Sequence, residues 1–466
     1  MNSAAPGKRQ DVCLDILGQQ PSNRMYTQVC LCFPVADDSS YSAIIVKLTS
    51  GLDRLSTSFP WIAGKVINEG SCKDNTGVYK IHTLEQTDLL VLKDLRDESS
   101  IPTMDTLRRS NFPFGMLDEN IFAPCKGHPG DQSASDPAPV FILQANLING
   151  GIILTFVSQH QTMDMVGQGQ IMYLLSKACH NKPFTEEEVL SGNLPRHNLI
   201  PLLDCSSKQG PVATCQAVKS IPSQPICNAN DIQFPHPPPS PECTWGYFTF
   251  PTTSLAALKS LAKEAITGPD HISTDDALSA FIWQSVIRAR LPRLGPTIKS
   301  TFGRSVDVRS RMNIPVTYPG LMSNTTYTTY TAQELVAEPL GVVASRLRSD
   351  LNPATSSLIY DTRALATFLN SNPDKNLVSN TAPLELSTDI IFSSWAKIGI
   401  YDLDFNLGLG KPEAVRRPRF NTVQSLMFLM PKTLDGEIAA AICLRDDDLN
   451  RLQEDNEFRK YGVYIG

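Results

Sequence analysis

The sequence has 466 residues, of which 41% are hydrophobic and 19% are charged, and its formal net charge is −6. This composition is typical of a globular protein and excludes a disordered or fibrous chain. Because nucleic-acid binding depends on a basic surface, the acidic balance argues against a nucleic-acid-binding protein. The length predicts two domains or one large fold in two parts.

The cysteines and the apolar segments bear on the compartment of the protein. Its 11 cysteines are scattered without a CxxC pair or a Cys/His cluster, so we expect neither a disulfide framework nor a metal site. The N-terminus lacks the apolar stretch of a signal peptide, and the longest uncharged apolar segment, 137–159, is interrupted by the turn residues NGG. We therefore expect a cytoplasmic protein that does not contact a membrane.

The first 203 residues show alternating helix and strand patterns. Apolar residues that recur every three or four positions over 44–55 predict a helix, which ends before Pro60. FILQANLI and IILTFVS flank the NGG turn at 149–151 and predict a β-hairpin. GQIMYLLSKACHN predicts a helix after that hairpin.

A Pro- and Ser-rich segment at 204–244 predicts a linker between domains at 1–203 and 245–466. In the second domain WGYFTF predicts a strand, and TTSLAALKSLAKEAIT and STDDALSAFIWQSVIRARL predict two helices. SLMFLMP and EIAAAICL predict another hairpin. A last helix starts with three aspartates at 446–448, which we expect to form a solvated N-terminal cap.

The stretch SQHQTMDMVG places His160 at the end of a predicted buried strand, shortly before Asp164. Histidine, with an ordinary pKa of about 6.5, is suited to move protons at neutral pH, and strand ends are where α/β folds expose sites. Read alone, a satisfied core position is the commoner role for such a histidine. Asp164 would hold the turn rigid through an ion pair or backbone hydrogen bonds, and Gly167 would allow close packing.

Several catalytic motifs are absent from the sequence. It contains no GxSxG elbow, P-loop or GxGxxG. Their absence argues against a serine hydrolase of the α/β type, a nucleotide hydrolase and a dinucleotide-dependent oxidoreductase. The segment DFNLG at 404–408 indicates, by itself, only a loop between strands.

Together, HxxxD at 160–164 and DFNLG at 404–408 resemble the HxxxD and DFGWG signatures of the plant and fungal BAHD acyltransferases. STDDALSAFIWQS resembles that family's helix at the start of the second domain, and RSVDVRSRM resembles its central arginine strand. The similarity is greatest to the fungal trichothecene 3-O-acetyltransferases. It extends over nearly the whole chain, through stretches that include MYTQVCLCFPV, YPGLMSN, ASRLRSDL and SSWAKIGIYDLDFNLGLGKPEAVRRP.

This resemblance implies an α/β (α+β) fold of two chloramphenicol-acetyltransferase-like domains, each a mixed β-sheet with flanking helices, with a solvent channel between them. Acyl-CoA would enter from one side and the acceptor alcohol from the other. His160 is implied to be the general base that takes the proton from the acceptor hydroxyl as it attacks the thioester. This mechanism forms no acyl-enzyme, so it needs no nucleophilic Ser or Cys.

The resemblance also implies roles for the segment SSW. Ser393 stands in the family's Thr/Ser-Ser-Trp block and is the candidate oxyanion donor. Ser394 and Trp395 are implied to lie beside the cofactor. Asp164 is implied to point away from the substrate and to pair with an arginine.

The DFNLG motif is implied to be structural through Asp404 and Gly408. Arg309 is the expected partner of Asp404, and an unrelated surface pair is the alternative for this arginine. Asn406 stands where the family has glycine. Because asparagine tolerates positive φ, we expect the turn to survive this replacement.

The phosphates of CoA require positive charge or a helix N-terminus. Lys259 on one helix face, and Arg416 and Arg417 after DFNLG, are candidate ligands, although each is also typical of a solvated surface. Ser273 and Thr274 at a helix start are candidates too, although capping of the helix explains them equally well.

We therefore expect a monomeric, metal-free enzyme that transfers an acetyl group from acetyl-CoA to a hydroxyl of a fungal secondary metabolite, such as the 3-hydroxyl of a trichothecene-type sesquiterpenoid. Another secondary-metabolite alcohol or amine is the alternative acceptor. A condensation-type enzyme with a carrier-bound acyl group is a second alternative, but such enzymes usually carry HHxxxDG, whereas Gln159 and Met165 stand at those positions here. A catalytically inactive binding protein is a third.

Overall fold

The computed structural model describes residues 11–37, 40–83, 88–128, 136–204, 216–217, 242–264 and 271–466. Most of the predicted linker at 204–244 lies outside these residues. Within them, none of the helices combines the length and the apolar character that a membrane crossing requires.

Strands and helices alternate along the described chain. The strands are β1 (Val12–Cys13), β2 (Tyr26–Pro34), β3 (Lys65–Glu69), β4 (Val78–His82), β5 (Leu90–Asp94), β6 (Ala138–Pro139), β7 (Phe141–Ile148), β8 (Gly151–Gln159), β9 (Cys243–Phe250), β10 (Lys299–Asp307), β11 (Ser323–Thr331), β12 (Ile390–Ser394), β13 (Ala414–Arg416), β14 (Leu426–Leu429), β15 (Ile438–Arg445) and β16 (Val463–Tyr464). The helices are α1 (Tyr41–Ser58), α2 (Met104–Arg109), α3 (Glu119–Phe122), α4 (Met165–Cys179), α5 (Glu186–Gly192), α6 (Thr252–Glu264), α7 (Thr274–Arg290), α8 (Ala332–Ala337), α9 (Leu340–Ser349), α10 (Leu358–Ser371), α11 (Asp446–Glu454) and α12 (Asn456–Arg459).

The first large sheet has the strand order β13-β2-β8-β7-β5 and is covered by helices on both faces. β7 and β8 form the predicted hairpin, with antiparallel pairing along their length. One face packs against α1 and α4 through residues such as Leu48 and Leu175, and the other face packs against α2 and α3. Because both faces are covered, β8 is buried at every position, and it carries the chain into the interior just before His160.

The second large sheet has the order β11-β10-β12-β14-β15-β9-β16. β12 pairs in parallel with β10 on one side and with β14 on the other, so the sheet is mixed as expected. The helix α7 is buried along almost its whole length, and the rings of Trp283 and Phe302 lie 5.2 Å apart between this helix and the sheet. The carboxyl end of β12 is the segment SSW, at the kind of sheet edge where α/β folds place sites.

The two halves of the chain share a β-sheet and pack their aromatic side chains together. β13, from the second half, pairs antiparallel with β2 of the first sheet. Trp245 at the start of the second half packs against Phe114 and Phe420, with ring centroids 5.1 Å and 4.9 Å away. The first sheet therefore contains a strand that follows the predicted linker at 204–244 in the sequence. The exact domain limits stay a prediction. A smaller sheet, β1-β4-β3-β6, lies beside the first.

The aspartates at 446–448 do not all form the solvated cap that the sequence predicts. They begin α11, but Asp448 is fully buried. Its carboxylate lies 2.7 Å from both Arg293 and Arg451 and 3.4 Å from the fully buried Arg290. The expectation was wrong for this residue because α11 packs against α7, whose C-terminal arginine needs a buried counter-charge.

We predict that Asp448→Ala lowers the free energy of unfolding by about 3–5 kcal/mol, because it leaves a buried arginine uncompensated. Asp447→Ala is the control, since its half-exposed carboxylate pairs with Arg451 at the surface and is expected to contribute less than about 1 kcal/mol. Denaturant unfolding measures both. Equal losses from the two variants would contradict the buried network.

Candidate active site

His160 lies in the turn between β8 and α4, and the backbone of this turn is tightly held. Its backbone N–H donates to the carbonyl of Met25 at 2.8 Å. The side chain of Gln161 donates to the carbonyls of Gly18 and Gln20 at 3.0 and 3.2 Å. Arg196 donates to the carbonyl of Thr162 at 2.7 Å. The position of the imidazole is therefore fixed by contacts on several sides.

The hydrogen bonding of the His160 ring sets its tautomer. Nδ1 lies 3.2 Å from the carbonyl oxygen of Met163, which can only accept, so Nδ1 carries the proton. In the neutral ring Nε2 then has a free lone pair. Burial lowers the pKa of His160, as does the charge of Arg417, against the opposite effects of the Met163 carbonyl and Asp164. The ring is therefore neutral at physiological pH and able to accept a proton.

Asp164 is the N-cap of α4, and its carboxylate is fully used by the protein. Oδ1 accepts from the N–H of Gly167 at 2.8 Å, and Oδ2 accepts from the N–H of Met322 at 2.8 Å. Both oxygens also accept from Arg309 at 2.9 Å, in a bidentate pair that buries both side chains. The expectation that Asp164 pairs with an arginine fits these contacts. Because Asp164 also contributes to the lining of the cavity described below, its orientation away from the substrate stays a prediction.

Arg309 also donates hydrogen bonds to the segment 318–320. Nε donates to the carbonyl of Tyr318 at 2.8 Å, and one terminal nitrogen donates to the carbonyl of Gly320 at 2.6 Å. Gly167 packs on this segment so closely that a Cβ atom there would lie 2.1 Å from the carbonyl oxygen of Pro319. The glycine after HxxxD is thus required by close packing.

The expected pair of Arg309 with Asp404 is wrong. The carboxylate of Asp404 accepts instead from the backbone N–H of Asn406 at 2.7 Å, and its carbonyl accepts from Ser176 at 2.6 Å. DFNLG therefore packs at the C-terminal end of α4, whereas Asp164 caps the N-terminal end. With a rise of about 1.5 Å per residue, the 15-residue helix separates the two acids by about 20 Å.

DFNLG forms a turn of the kind that its composition predicts. Asn406 has φ of 55° and Gly408 has φ of 79°, both in the left-handed region. The side chain of Asn406 donates to the carbonyl of Cys179 at 3.2 Å, which ties the turn to α4. The replacement of glycine by asparagine is accommodated, as expected.

A cavity of about 350 Å³ lies between the two halves of the chain and contains the predicted catalytic residues. Its lining includes His160 and Thr27 from the first half and Ser393, Trp395 and Arg417 from the second. Ser393 Oγ accepts from the indole Nε1 of Trp395 at 3.1 Å. Because the indole is only a donor, the hydroxyl hydrogen of Ser393 stays available for an oxyanion.

A second, larger opening of about 660 Å³ continues from this cavity; we call it the basic cleft. Its positive lining consists of Arg304, Arg311, Arg348 and Lys397. It shares six lining residues with the cavity, and these mark the junction of the two: Val166, Ser305, Val306, Asp307, Ser394 and Ile398. The cavity and the basic cleft together form a channel between the two halves.

The basic residues of this cleft were missed by the sequence analysis. Arg304 is paired with both Asp275 and Asp276 at 2.9 Å, and Arg348 is paired with Asp276 at 2.8 Å. Lys397 is exposed and has no ion pair within the part of the chain that the structure describes. Its position directly after SSWA is a signal that sequence reasoning had available.

The basic residues predicted to contact CoA lie elsewhere. Arg416 is buried and donates to the carbonyls of Phe112 and Asn111 at 3.1 and 3.2 Å, so its prediction as a phosphate ligand is wrong. Lys259 lies on α6 and lines neither the cavity nor the basic cleft. Arg417 lines the cavity itself, beside His160.

The predicted polar ligands are mostly occupied within the protein. Ser273 forms a capping box with Asp276: its hydroxyl accepts from that residue's N–H at 3.2 Å and donates to its carboxylate at 2.6 Å. Thr274 is the first residue of α7 and is half-buried. Ser394 donates to Asp275 at 2.7 Å and lines the junction of cavity and cleft. Capping therefore accounts for Ser273.

Comparison with known proteins identifies the family. The model of the "Transferase family" matches residues 127–459, and that of the "Trichothecene 3-O-acetyltransferase-like N-terminal domain" matches residues 25–179. The chain belongs to the Transferase (BAHD) family. It is accordingly an acyltransferase.

Members of this family resemble the chain over its full length. It is 52% identical to an O-acetyltransferase of Cryptosporiopsis sp., over 97% of each chain. It is 48% identical to the trichothecene 3-O-acetyltransferase of Fusarium sporotrichioides, over 100% of this chain and 99% of that one. The crystal structure of that Fusarium enzyme with coenzyme A and T-2 superposes with a TM-score of 0.89, at 47% identity over 98% and 100% of the two chains. Vinorine synthase, at 16% identity and a TM-score of 0.66, shares the BAHD fold.

We predict that kcat/KM for acyl transfer keeps its plateau to below pH ~6.5, the ordinary pKa of histidine. Only neutral His160 accepts a proton, and a lowered pKa keeps the ring neutral to lower pH, so activity falls as the pH drops through that lowered value. Thiol release across the acidic range measures the profile. His128 also lines the cavity, and His128→Gln is expected to leave the position of the acid limb in place. A plateau that ends above pH ~6.5 would contradict the assignment.

Proposed function

We propose that this protein transfers the acetyl group of acetyl-CoA to a hydroxyl of a fungal secondary metabolite, most specifically the 3-hydroxyl of a trichothecene-type sesquiterpenoid. The observation that carries the proposal is the geometry of His160: its imidazole is hydrogen-bonded through Nδ1 and lines a cavity that adjoins a basic cleft. The names of the full-length relatives supply the acceptor class.

The reaction requires one proton acceptor and one oxyanion donor. Nε2 of His160 takes the proton of the acceptor hydroxyl while the oxygen attacks the thioester carbonyl carbon. The carbonyl oxygen becomes an oxyanion, for which Ser393 Oγ–H is the proposed donor. When the tetrahedral intermediate collapses, the C–S bond breaks and the leaving thiolate receives the proton from His160. The acetyl group passes directly to the acceptor oxygen.

The two openings suggest how the substrates are arranged. The phosphates and adenine of acetyl-CoA would lie in the basic cleft, near Lys397 and Arg311. The pantetheine arm would pass the junction at Ser394 to bring the thioester to His160. The acceptor would occupy the cavity, so the two substrates meet at the imidazole from opposite sides. We propose further that the enzyme acts as a cytoplasmic monomer.

His160→Ala is expected to reduce acetyl transfer by about 10²- to 10⁴-fold, because it removes the general base. The measurement is thiol release from acetyl-CoA with deoxynivalenol or T-2 as the acceptor. Full activity in this variant would contradict the assignment of the base. Turnover with neither acceptor, but with another alcohol or an amine, would correct the acceptor class.

A matched control for that variant is His197→Ala, which removes an exposed histidine that lines neither the cavity nor the basic cleft. Its acetyl transfer is expected to equal that of the wild type. Thermal unfolding of both variants separates loss of chemistry from loss of fold, since His160→Ala leaves the Asp164–Arg309 pair in place.

Lys397→Ala is expected to raise the KM for acetyl-CoA by about 3- to 10-fold, the effect of one exposed charge on a phosphate. The KM for the acceptor is expected to stay the same. Lys259→Ala is the comparison, because that residue lies outside the cleft and is expected to leave both constants unchanged. An effect of Lys259→Ala alone would place the phosphates at α6 instead.

A further inference from the structure

Arg417 is a buried cation to which the described part of the chain supplies no counter-ion. It is 5% exposed and lines the cavity with His160 and Ser393. Among the residues that the structure describes, no carboxylate forms an ion pair with it, and its Nε has no hydrogen-bond partner. An unpaired buried guanidinium is costly unless something that enters the site accepts its hydrogen bonds.

Aromatic rings hold this guanidinium in place. Its central carbon lies 3.9 Å from the ring centroid of Phe420, 4.5 Å from that of Phe428 and 5.8 Å from that of Trp395. Such contacts stabilise the cation and fix its plane, but they satisfy none of its N–H donors. The donors are therefore oriented by packing and stay available.

Glu119, the acid that favours the charged form of Arg417, already accepts hydrogen bonds from other groups. Glu119 is buried, and its Oε2 accepts from the side chain of Gln28 at 2.9 Å and from the N–H of Gly127 at 2.6 Å. Burial lowers the pKa of Arg417 to about 9, so the group still carries its proton at neutral pH. The charge thus persists in the cavity, although no carboxylate of the described residues forms an ion pair with it.

The position of Arg417 assigns it to the acceptor side of the channel. Neither Arg417 nor its neighbour His128 lines the basic cleft, and neither belongs to the residues shared by cleft and cavity. The phosphates of CoA are separated from the thioester by the pantetheine arm. A residue beside His160 and away from the cleft therefore meets the acceptor and not the phosphates.

From this geometry we propose that Arg417 is a specificity-determining residue that donates hydrogen bonds to an oxygen of the acceptor other than the reacting hydroxyl. The enzyme thereby selects oxygenated alcohols, whose ether, ester or carbonyl oxygens accept from the guanidinium, over hydrocarbon alcohols. This inference rests on the proposed function and names the chemistry that the same cavity recognises.

The test compares Arg417→Met with the wild type on two acceptors, deoxynivalenol, which is rich in oxygens, and borneol, a bicyclic hydrocarbon alcohol. Loss of a hydrogen bond from a charged donor predicts that kcat/KM for deoxynivalenol falls by about 10- to 100-fold, mainly through KM. The value for borneol, and the KM for acetyl-CoA, are expected to change little. An equal fall for both alcohols would overturn the proposal.

Two further measurements separate this proposal from the proposed function. Binding titrations of both alcohols, without acetyl-CoA, test Arg417 even if the wild type turns over neither. Preference for deoxynivalenol in the wild type that disappears in Arg417→Met supports the proposal, and equal binding by the two proteins overturns it. Arg417→Lys keeps the charge but not the planar guanidinium, so its preference for deoxynivalenol is expected to be intermediate. This variant keeps the test valid if the methionine variant fails to fold.

The control for these variants is Arg459→Met, which changes an exposed arginine at the end of α12, outside both openings. It is expected to match the wild type with both alcohols. A hydroxy acid of the same bicyclic skeleton forms a third arm. If Arg417→Met weakens binding of the hydroxy acid more than binding of deoxynivalenol, Arg417 recognises a negative charge more strongly than neutral oxygens.

Discussion

The buried ion pair between Asp164 and Arg309 is the interaction on which the site depends. It joins the start of α4 in the first half to the segment after β10 in the second, and it caps the helix whose preceding turn carries His160. Removal of Arg309 would leave the buried Asp164 without its ion pair, at a cost of about 3–5 kcal/mol, whereas removal of Asp164 would leave Arg309 with only the partly exposed Asp307. The pair thus contributes both to the position of the imidazole and to the closeness of the two halves, together with the β13–β2 pairing and the other hydrogen bonds of the His160 turn.

The channel has two chemically different ends. On one side the basic cleft offers Lys397 and arginines for an anionic cosubstrate, and on the other the cavity is lined mainly by hydroxyl, amide and aliphatic side chains, with the rings of Trp395 and Phe428 among them. Arg416 and Arg417 illustrate how local the difference is. The guanidinium of Arg416 donates to backbone carbonyls of the segment after α2, whereas that of Arg417, the next residue along the chain, faces the cavity.

Sequence reasoning found the residues that act through local pattern and family resemblance. The hairpin, the helix after it, His160 and the left-handed turn at Asn406 all follow from neighbouring residues. It failed where the partner is distant: Arg309 was matched to the wrong acid, because only the folded chain shows that Asp164 and Asp404 lie at opposite ends of α4. Asp448 was misjudged for the same reason, since its burial depends on α7. The assignments of Ser393 and of the CoA-binding residues other than Arg416 stay predictions.

A double-mutant cycle on Asp164 and Arg309 tests the central claim most directly. Asp164→Asn, Arg309→Met and the combined variant would be compared by kcat/KM for acetyl transfer. If the pair positions His160 as one unit, each single variant loses most of the activity and the double variant loses little more, with a coupling free energy of about 0.5–3 kcal/mol. Losses that simply multiply, with no coupling, would show that the two residues act independently and would contradict this account.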